Sequence, residues 1–248
     1  MARLRWGVLS TASIGIEKVI PAIQRAGNAE VVAIASRDHG RAAEAAGLRG
    51  IPMAHGSYQA LLDDDRVEAV YVPLPNHLHM EWTLAAAAAG KHVLCEKPLA
   101  LTAADGQAMV DGCAAAGVVF AEAFMYRHHP TWVAVRELVS SGRLGDLLAI
   151  QTRFGYFNDD PTDIRNLGEC GGGALMDIGC YPINLSRMLF GGEPTGVRAA
   201  VRRDPVGGTD IVTSAILEFG AGQSSFVVST RMEHVQRVEV LGTAGRIE

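Results

Sequence analysis

Two short stretches carry most of the side chains that could move a proton. Cys95-Glu96-Lys97-Pro98 follows an apolar run, and Asp177 and Tyr181 lie four residues apart, beyond a run of three glycines. Residues four apart share one face of a helix. A free tyrosine has a pKa of about 10, too high for an efficient base at neutral pH, and a neighbouring ammonium lowers that pKa. The sequence therefore predicts Tyr181 as the proton acceptor, Lys97 as its activator and Asp177 as the acid that orients both; a solvent-facing polar stripe or a satisfied buried tyrosine is the alternative.

The first half of the chain alternates strand-like and helix-like segments, as expected for the elements that position Lys97. Strands are predicted at residues 4–9, 30–35, 67–72, 92–94 and 118–121. Helices are predicted at residues 14–26, 41–48, 58–62, 81–89 and 103–116, the last with Thr102 as its N-cap. This alternation predicts a doubly wound parallel sheet with helices on both faces, and ligands bind such sheets at the carboxyl ends of the strands.

The second half changes character, because strands joined by short glycine-containing turns dominate it. These strands are predicted at residues 147–154, 196–201, 211–219, 224–230 and 235–241, with helices near 132–139 and 174–190. The pattern predicts an α+β domain with a mostly antiparallel open sheet. We therefore expect two domains, a nucleotide-binding domain at 1–123 and a substrate-binding domain at 124–248.

The turn after the first strand has the position of a dinucleotide phosphate loop. A G-x-G-x-x-G fingerprint would fall on residues 10–15, where only Gly15 is a glycine, but the other small side chains still let phosphates approach. An ordinary strand-to-helix turn is the alternative. The candidate cofactor contacts here are Ser10, Thr11, Ala12, Ile14 and Gly15.

The end of the second strand bears on the choice of cofactor. Ser36-Arg37-Asp38 follows that strand. The guanidinium of Arg37 can pair with a 2′-phosphate and the Ser36 hydroxyl can add a hydrogen bond, which favours NADP over NAD. If Arg37 is only a solvated charge, Asp38 would hold the ribose of NAD instead.

A proline-rich loop at residues 73–79 would lie over the middle of the bound dinucleotide. Its histidines, like the pair His128-His129, lack a nearby cluster of carboxylates or cysteines, so no metal site is predicted. Further cofactor contacts are expected from Pro73, Leu74, Asn76, His79, Glu96 and Lys97.

Composition and charge exclude several classes of protein. The net charge is -5, which argues against nucleic acid and anionic membrane surfaces as partners, and no apolar run is long enough to span a bilayer. The four cysteines lie far apart with no C-x-x-C pair, so reduced thiols and a cytoplasmic location are expected.

The motifs together resemble the family of glucose-fructose oxidoreductase and inositol dehydrogenase. The resemblance rests on Glu96-Lys97-Pro98, on residues 177–182 and on Pro73-Leu74-Pro75-Asn76. Residues 6–12, 124–127 and 163–165 look most like the branch of NADP-dependent D-xylose 1-dehydrogenases and dimeric dihydrodiol dehydrogenases.

That resemblance implies a Rossmann domain, a second domain whose open sheet often forms a homodimer or higher homo-oligomer, and a cis Lys97–Pro98 bond. It also implies that Lys97 is the catalytic lysine, Tyr181 the proton-transfer residue and Asp177 the supporting acid. Residues implied to line the substrate pocket are Arg127, Phe154, Arg165, Asp177 and Tyr181.

The function expected from these residues is hydride transfer between NADP and a carbinol of a sugar, polyol or vicinal diol, in an active site to which both domains contribute. A non-catalytic nucleotide-binding sensor of the same fold is the alternative, and a bifunctional enzyme that retains its cofactor is a third. Only Arg246-Ile247-Glu248 follows the last turn signal, whereas family members generally continue, so the second domain is expected to be incomplete at its C-terminus or truncated there.

Overall fold

The chain folds into two compact units that meet in sequence between Ala123 and Phe124. A computed structural model describes residues 3–248. Each unit contains one six-stranded sheet. Within the described residues, no helix combines the length and the apolar character needed to cross a membrane.

The first unit alternates strands and helices along the chain. Its strands are β1 (Leu4–Leu9), β2 (Ala29–Ala35), β3 (Met53–His55), β4 (Ala69–Val72), β5 (His92–Cys95) and β6 (Phe120–Glu122). Its helices are α1 (Ile20–Arg25), α2 (His39–Arg49), α3 (Tyr58–Leu62), α4 (His79–Ala88) and α5 (Ala103–Ala115). The Thr102 hydroxyl accepts a hydrogen bond from the Asp105 N–H and caps α5, as predicted.

The first sheet has the order β3-β2-β1-β4-β5-β6, and all of its pairs are parallel. This confirms the predicted doubly wound sheet of the Rossmann type. The chain reverses direction across the sheet between β1 and β4, and the crevice at such a switch point is where these folds bind nucleotides.

Alternate side chains of the first sheet build a separate core on each face. Leu9, Val70 and Val72 pack on one side, while Val8 and Tyr71 pack on the other against Ile20. β4 is buried along its whole length. Burial on both faces explains why its sequence is a continuous apolar run rather than an alternating one.

Two features of the first unit differ from the sequence prediction. β3 was not predicted, because Met53-Ala54-His55 is short and not consistently apolar; it forms by pairing with residues 33–35 of β2. The helix predicted at 14–26 starts at residues 13–14, widens into a π-helical turn at Gly15–Val19 and is α-helical again over Ile20–Arg25. Such turns are rare and frequently lie at functional sites.

The second unit places two helices before and among its strands. Its strands are β7 (Leu147–Phe157), β8 (Gly196–Arg203), β9 (Asp210–Phe219), β10 (Gly222–Ser229), β11 (Arg231–Gly242) and β12 (Arg246–Ile247). Its helices are α6 (Pro130–Ser140) and α7 (Cys180–Phe190), and a π-helical turn at Leu175–Gly179 leads into α7.

The second sheet has the order β12-β11-β7-β10-β9-β8 and is mostly antiparallel, as predicted. The pair β7–β10 is parallel and is the exception. It arises because the chain leaves β7, forms α7 and re-enters at the far edge of the sheet, so that β8, β9 and β10 return stepwise to β7. Alternate side chains of β7, such as Ile150 and Phe154, pack in cores with α7 or the turn before it, while Gln151 and Arg153 lie exposed.

Gly222 and Gly220 provide a matched test of backbone packing in the β9–β10 turn. A Cβ at Gly222 would lie 2.3 Å from the carbonyl oxygen of Leu148, whereas one at Gly220 would meet no atom within 4 Å. We expect Gly222→Ala to lower the free energy of unfolding by about 1–3 kcal/mol, because the backbone of β7 cannot yield as a side chain can. Gly220→Ala should change it by less than about 0.5 kcal/mol. Urea unfolding measures both, and equal effects would contradict the packing described.

Candidate functional site

The carboxyl ends of β1 and β4 are joined at the switch point of the first sheet. The Ser10 hydroxyl donates to the carbonyl oxygen of Pro73 at 3.0 Å and accepts from the Ala12 N–H at 3.2 Å. Ser10 has φ of 134°, a conformation that L residues seldom adopt and that often marks ligand sites. A Cβ on Gly15 would contact Pro73 and Tyr71 at ordinary distances, so Gly15 keeps this crevice open rather than relieving a clash.

Small side chains and a helix start make this crevice suited to a dinucleotide. Thr11 and Ala12 are partly exposed, and Ile14 is 46% exposed at the beginning of the helical segment. The first backbone N–H groups of a helix lack partners within the helix and favour negatively charged groups. The residues present therefore fit the pyrophosphate of a nucleotide cofactor.

Asp38, which follows the end of β2, caps the next helix. One carboxylate oxygen of Asp38 accepts the N–H groups of Gly40 and Arg41 at 2.8 and 3.2 Å, and thus caps α2. Arg37 is exposed, and its guanidinium interacts with the hydroxyl of Tyr58. Burial raises the pKa of Tyr58, and Arg37 only partly offsets this. At this strand end the carboxylate of Asp38 is thus engaged in capping α2, whereas the charge of Arg37 is exposed beside Tyr58.

The loop that carries Lys97 is fixed by carboxylates on both sides. Glu96 accepts the hydroxyl of the fully buried Tyr71 and, at 3.2 Å, the N–H of Lys97. Glu122 accepts the Leu99 N–H at 2.8 Å. The Lys97–Pro98 bond is cis, in agreement with the resemblance.

His79 has a different position from the one expected of a cofactor contact. Its side chain is fully buried, and its ring nitrogens lie 2.9 Å from the carbonyl oxygen of Pro98 and 2.8 Å from that of Leu74. Burial is the main reason that the pKa of His79 is lowered. A neutral imidazole has one N–H, so His79 donates to one of these two carbonyl oxygens. Its ring lies between the Lys97 loop and the loop at residues 73–79, where Asn76 begins a short 3-10 turn.

In the second unit, Tyr181 lies at the start of α7 within an aromatic cage. Its ring centroid is 5.4 Å from that of Phe124, 6.0 Å from that of Tyr126 and 5.7 Å from that of Phe154. The hydroxyl of Tyr181 reaches the Sδ of Met125 at 3.9 Å. Edge-to-face and tilted aromatic contacts of this kind restrict the orientation of the phenol.

Asp177 lies one helical turn before Tyr181 and interacts with two side chains from different segments. Its Oδ2 accepts the hydroxyl of Tyr156, and its Oδ1 lies 3.6 Å from the Nε of Arg165. Burial, the charge of Asp177 and the hydrogen bond to it raise the pKa of Tyr156 strongly. Burial alone would lower the pKa of Arg165, but the charges of Asp177 and Asp163 outweigh it and raise that pKa. Tyr156 therefore stays protonated as a donor, and Arg165 stays cationic.

The glycine run at residues 171–173 packs closely against protein atoms. A Cβ at Gly172 would lie 2.5 Å from the carbonyl oxygen of Arg165, and one at Gly173 would lie 2.1 Å from an oxygen of Asp210. The Gly173 N–H also donates to the Arg165 carbonyl at 2.8 Å. These glycines consequently bring the loop of Arg165 close to the helix that carries Asp177.

The remaining predicted pocket residues occupy different settings. Phe154 contacts Tyr181, whereas Arg127 is exposed in a short turn at Met125–His128. Tyr156 was not predicted, although it follows Phe154 by two residues and so shares its face of β7. That alternation was the signal in the sequence that could have identified it. Among residues 3–248, no group of three or more His, Cys, Asp or Glu side chains has a metal-binding arrangement.

The phenol of Tyr156 gives a direct test of the Asp177 contact. We expect Asp177→Asn to lower the pKa of Tyr156, because the carboxylate charge and the strong acceptor are removed. ¹³Cζ-tyrosine NMR resolves the titration, since the chain has 5 tyrosines, with Tyr156→Phe as the assignment. Asp159→Asn, an exposed change in the same region, is the control. An unaltered Tyr156 titration in Asp177→Asn would contradict the geometry.

Comparison with known proteins identifies related chains over both units. Residues 4–124 match an oxidoreductase family with an NAD-binding Rossmann fold, and residues 132–248 match the GFO/IDH/MocA C-terminal domain. A D-xylose 1-dehydrogenase (NADP(+)) of Haloferax volcanii is 44% identical, covering 99% of this chain and 75% of the relative. The trans-1,2-dihydrobenzene-1,2-diol dehydrogenase of Bos taurus is 35% identical, covering 98% and 72%.

A solved structure shows the same likeness in three dimensions. A 3-ketoreductase from Actinomadura kijaniata, in complex with NADP and TDP-benzene, superimposes with a TM-score of 0.90 at 32% identity, over 98% of this chain and 75% of that one. Sequence and structure therefore agree over both units, and the chain belongs to the Gfo/Idh/MocA family of NAD(P)-dependent oxidoreductases.

Proposed function

We propose that this oxidoreductase uses NADP⁺ to oxidise a carbinol of a sugar, polyol or vicinal diol to a carbonyl, or NADPH to reduce that carbonyl, with Lys97 and Tyr181 handling the proton. The observation that carries the proposal is the setting of Tyr181. Its ring is held by three aromatic side chains, one turn from a carboxylate that accepts a hydrogen bond from Tyr156 and forms an ion pair with Arg165. A phenol oriented in this way is suited to exchange a proton with a substrate hydroxyl.

Lys97, Tyr181 and Asp177 have separate parts in the proposed proton transfer. Lys97 favours the phenolate of Tyr181, which takes the hydroxyl proton during oxidation and returns it during reduction. Asp177 supports both and keeps Arg165 in place, so that the guanidinium can hydrogen-bond two hydroxyls of the substrate. Phe154 and Arg127 complete the proposed pocket. The bound nicotinamide supplies the hydride acceptor or donor at its C4.

We assign NADP rather than NAD because of the charges at the end of β2. Asp38 is engaged in capping α2, while Arg37 is exposed and can pair with a 2′-phosphate. Ser36 is buried, and its hydroxyl accepts the Asp38 N–H at 3.2 Å. The pyrophosphate would lie against residues 10–15, and the nicotinamide half near Pro73, Leu74, Asn76, Glu96 and Lys97.

The side chains around Tyr181 and the named relatives support the proposed substrate class. The D-xylose 1-dehydrogenase and the diol dehydrogenase act, by name, on vicinal hydroxyl compounds, and the 3-ketoreductase acts in the direction of reduction. Aromatic rings beside an arginine suit a polyhydroxylated ring, because rings pack on its C–H faces while the guanidinium binds its hydroxyls. D-xylose is therefore the first substrate to test.

A non-catalytic sensor of the same fold is the second candidate. It would bind NADPH tightly without turnover across a panel of aldoses, polyols, diols and keto sugars. The paired Asp177 carboxylate favours the enzyme, because nucleotide sensing does not need this arrangement.

The predicted homo-oligomer would use the exposed face of the second sheet, which carries Gln151, Arg153, Ser225, Arg237 and Glu239.

Replacing the proposed proton-handling residues tests the catalytic assignment. We expect Lys97→Met and Tyr181→Phe each to lower kcat about 10²- to 10⁴-fold on D-xylose or the best substrate of the panel, with NADPH affinity retained. Lys18→Met, which removes an exposed lysine, is the control. Wild-type turnover in both variants on a confirmed substrate would show that the roles are wrongly assigned.

Replacing Arg37 tests the choice of cofactor. Arg37→Ala should weaken NADPH binding by about 10- to 100-fold, because a charge-assisted bidentate contact is lost, and leave NADH binding unchanged. Arg25→Ala serves as the control. It removes an exposed arginine at the end of α1, shortly before the amino end of β2, whereas Arg37 follows the carboxyl end of β2. Fluorescence titration gives both affinities. Equal affinity of the unmodified chain for NADPH and NADH would contradict the proposal that Arg37 binds the 2′-phosphate.

A further inference from the structure

We infer that Asp210 is a positioning residue that sets the orientation of Asp177 and Tyr181 from outside the pocket. This inference rests on the proposed roles of those two residues. Asp210 begins β9 and is only 9% exposed. Its Oδ2 accepts the Leu175 N–H at 2.8 Å and the Thr213 hydroxyl at 2.5 Å.

The Leu175 N–H lies in the first turn of the helical segment of the site. Leu175–Gly179 is a π-helical turn, and none of the side chains at its N-terminal end caps it. Instead, the carboxylate of Asp210, which lies on a strand distant in sequence, caps this end by accepting the Leu175 N–H. It therefore fixes the start of the turn to the sheet, and the position of Asp177 follows from that start.

Gly173 shows how closely the carboxylate is fitted. A Cβ on Gly173 would lie 2.1 Å from Oδ1 of Asp210, and Gly173 has φ of +114°, a conformation that favours glycine. The Gly173 N–H donates to Arg165, and its carbonyl accepts the Asp177 N–H at 3.0 Å. Asp210 thus lies against the residue whose two backbone groups connect Arg165 with Asp177.

A change at Asp210 should consequently disturb the site without contacting substrate or cofactor. We expect Asp210→Ala to shift the ¹³Cζ resonances of Tyr156 and Tyr181, to lower the pKa of Tyr156 as its contact with Asp177 loosens, and to lower kcat about 10- to 100-fold. NADPH affinity should stay at the wild-type value. Asp210→Asn should restore the resonances and most of kcat, since its amide oxygen can accept the Leu175 N–H.

Thr213→Val is the matched control, because it removes the other partner of Asp210 and leaves the Leu175 contact intact. It should lower the thermal midpoint and leave both tyrosine resonances unshifted. If Asp210→Ala does not fold, Asp210→Ser, whose shorter side chain withdraws from Leu175, takes its place in the same measurements.

A purely structural role for Asp210 predicts a different outcome. Asp210→Ala or Asp210→Ser would then lower the thermal midpoint while the Tyr156 and Tyr181 resonances, the Tyr156 titration and kcat all matched Thr213→Val, and that result would overturn the inference. The NMR readout needs no substrate, so absence of turnover across the panel would reject the proposed function alone and would still allow the positioning role to be decided.

Discussion

The arrangement of the second unit depends on the carboxylate of Asp177. A partly buried carboxylate is costly unless donors surround it, and Asp177 receives Tyr156 from β7 and Arg165 from the preceding loop. Gly172 allows the loop of Arg165 to pack closely against the segment that leads to Asp177. Asp177 therefore joins a strand, a loop and a helix at one point, and Tyr181 lies one helical turn away from it.

In the first unit, carboxylates accept hydrogen bonds from the backbone around Lys97. The loop of Lys97 leaves β5 at the carboxyl edge of the sheet, where a flexible lysine would have little reason to keep one orientation. Glu96, Glu122 and His79 hold the backbone on both sides of it. The backbone on both sides of Lys97 is thus held in place, as the proposed proton transfer requires. Lys97 follows the end of β5, and Tyr181 follows the π-helical turn at Leu175–Gly179.

Most of the fold could be predicted from the sequence, because buried parallel strands appear as continuous apolar runs and helical segments alternate with them. β3 could not, since its three residues become a strand only through pairing with β2.

Among the residues proposed for the site, motifs indicated Lys97, Asp177 and Tyr181. Tyr156 was missed although it alternates with Phe154 along β7, whereas Asp210 was missed because its contacts join segments distant in sequence. The burial of His79 between two carbonyl oxygens could not be deduced from a loop motif.

We propose that Lys97 activates the phenol of Tyr181, and the titration of Tyr181 tests this activation without any substrate. ¹³Cζ-tyrosine NMR of the unmodified chain and of Lys97→Met, each with NADP⁺ bound, gives the pKa of Tyr181 in both. The account predicts that this pKa lies below the free value of about 10 in the unmodified chain and rises when the ammonium is removed. An identical pKa in the two proteins would contradict it.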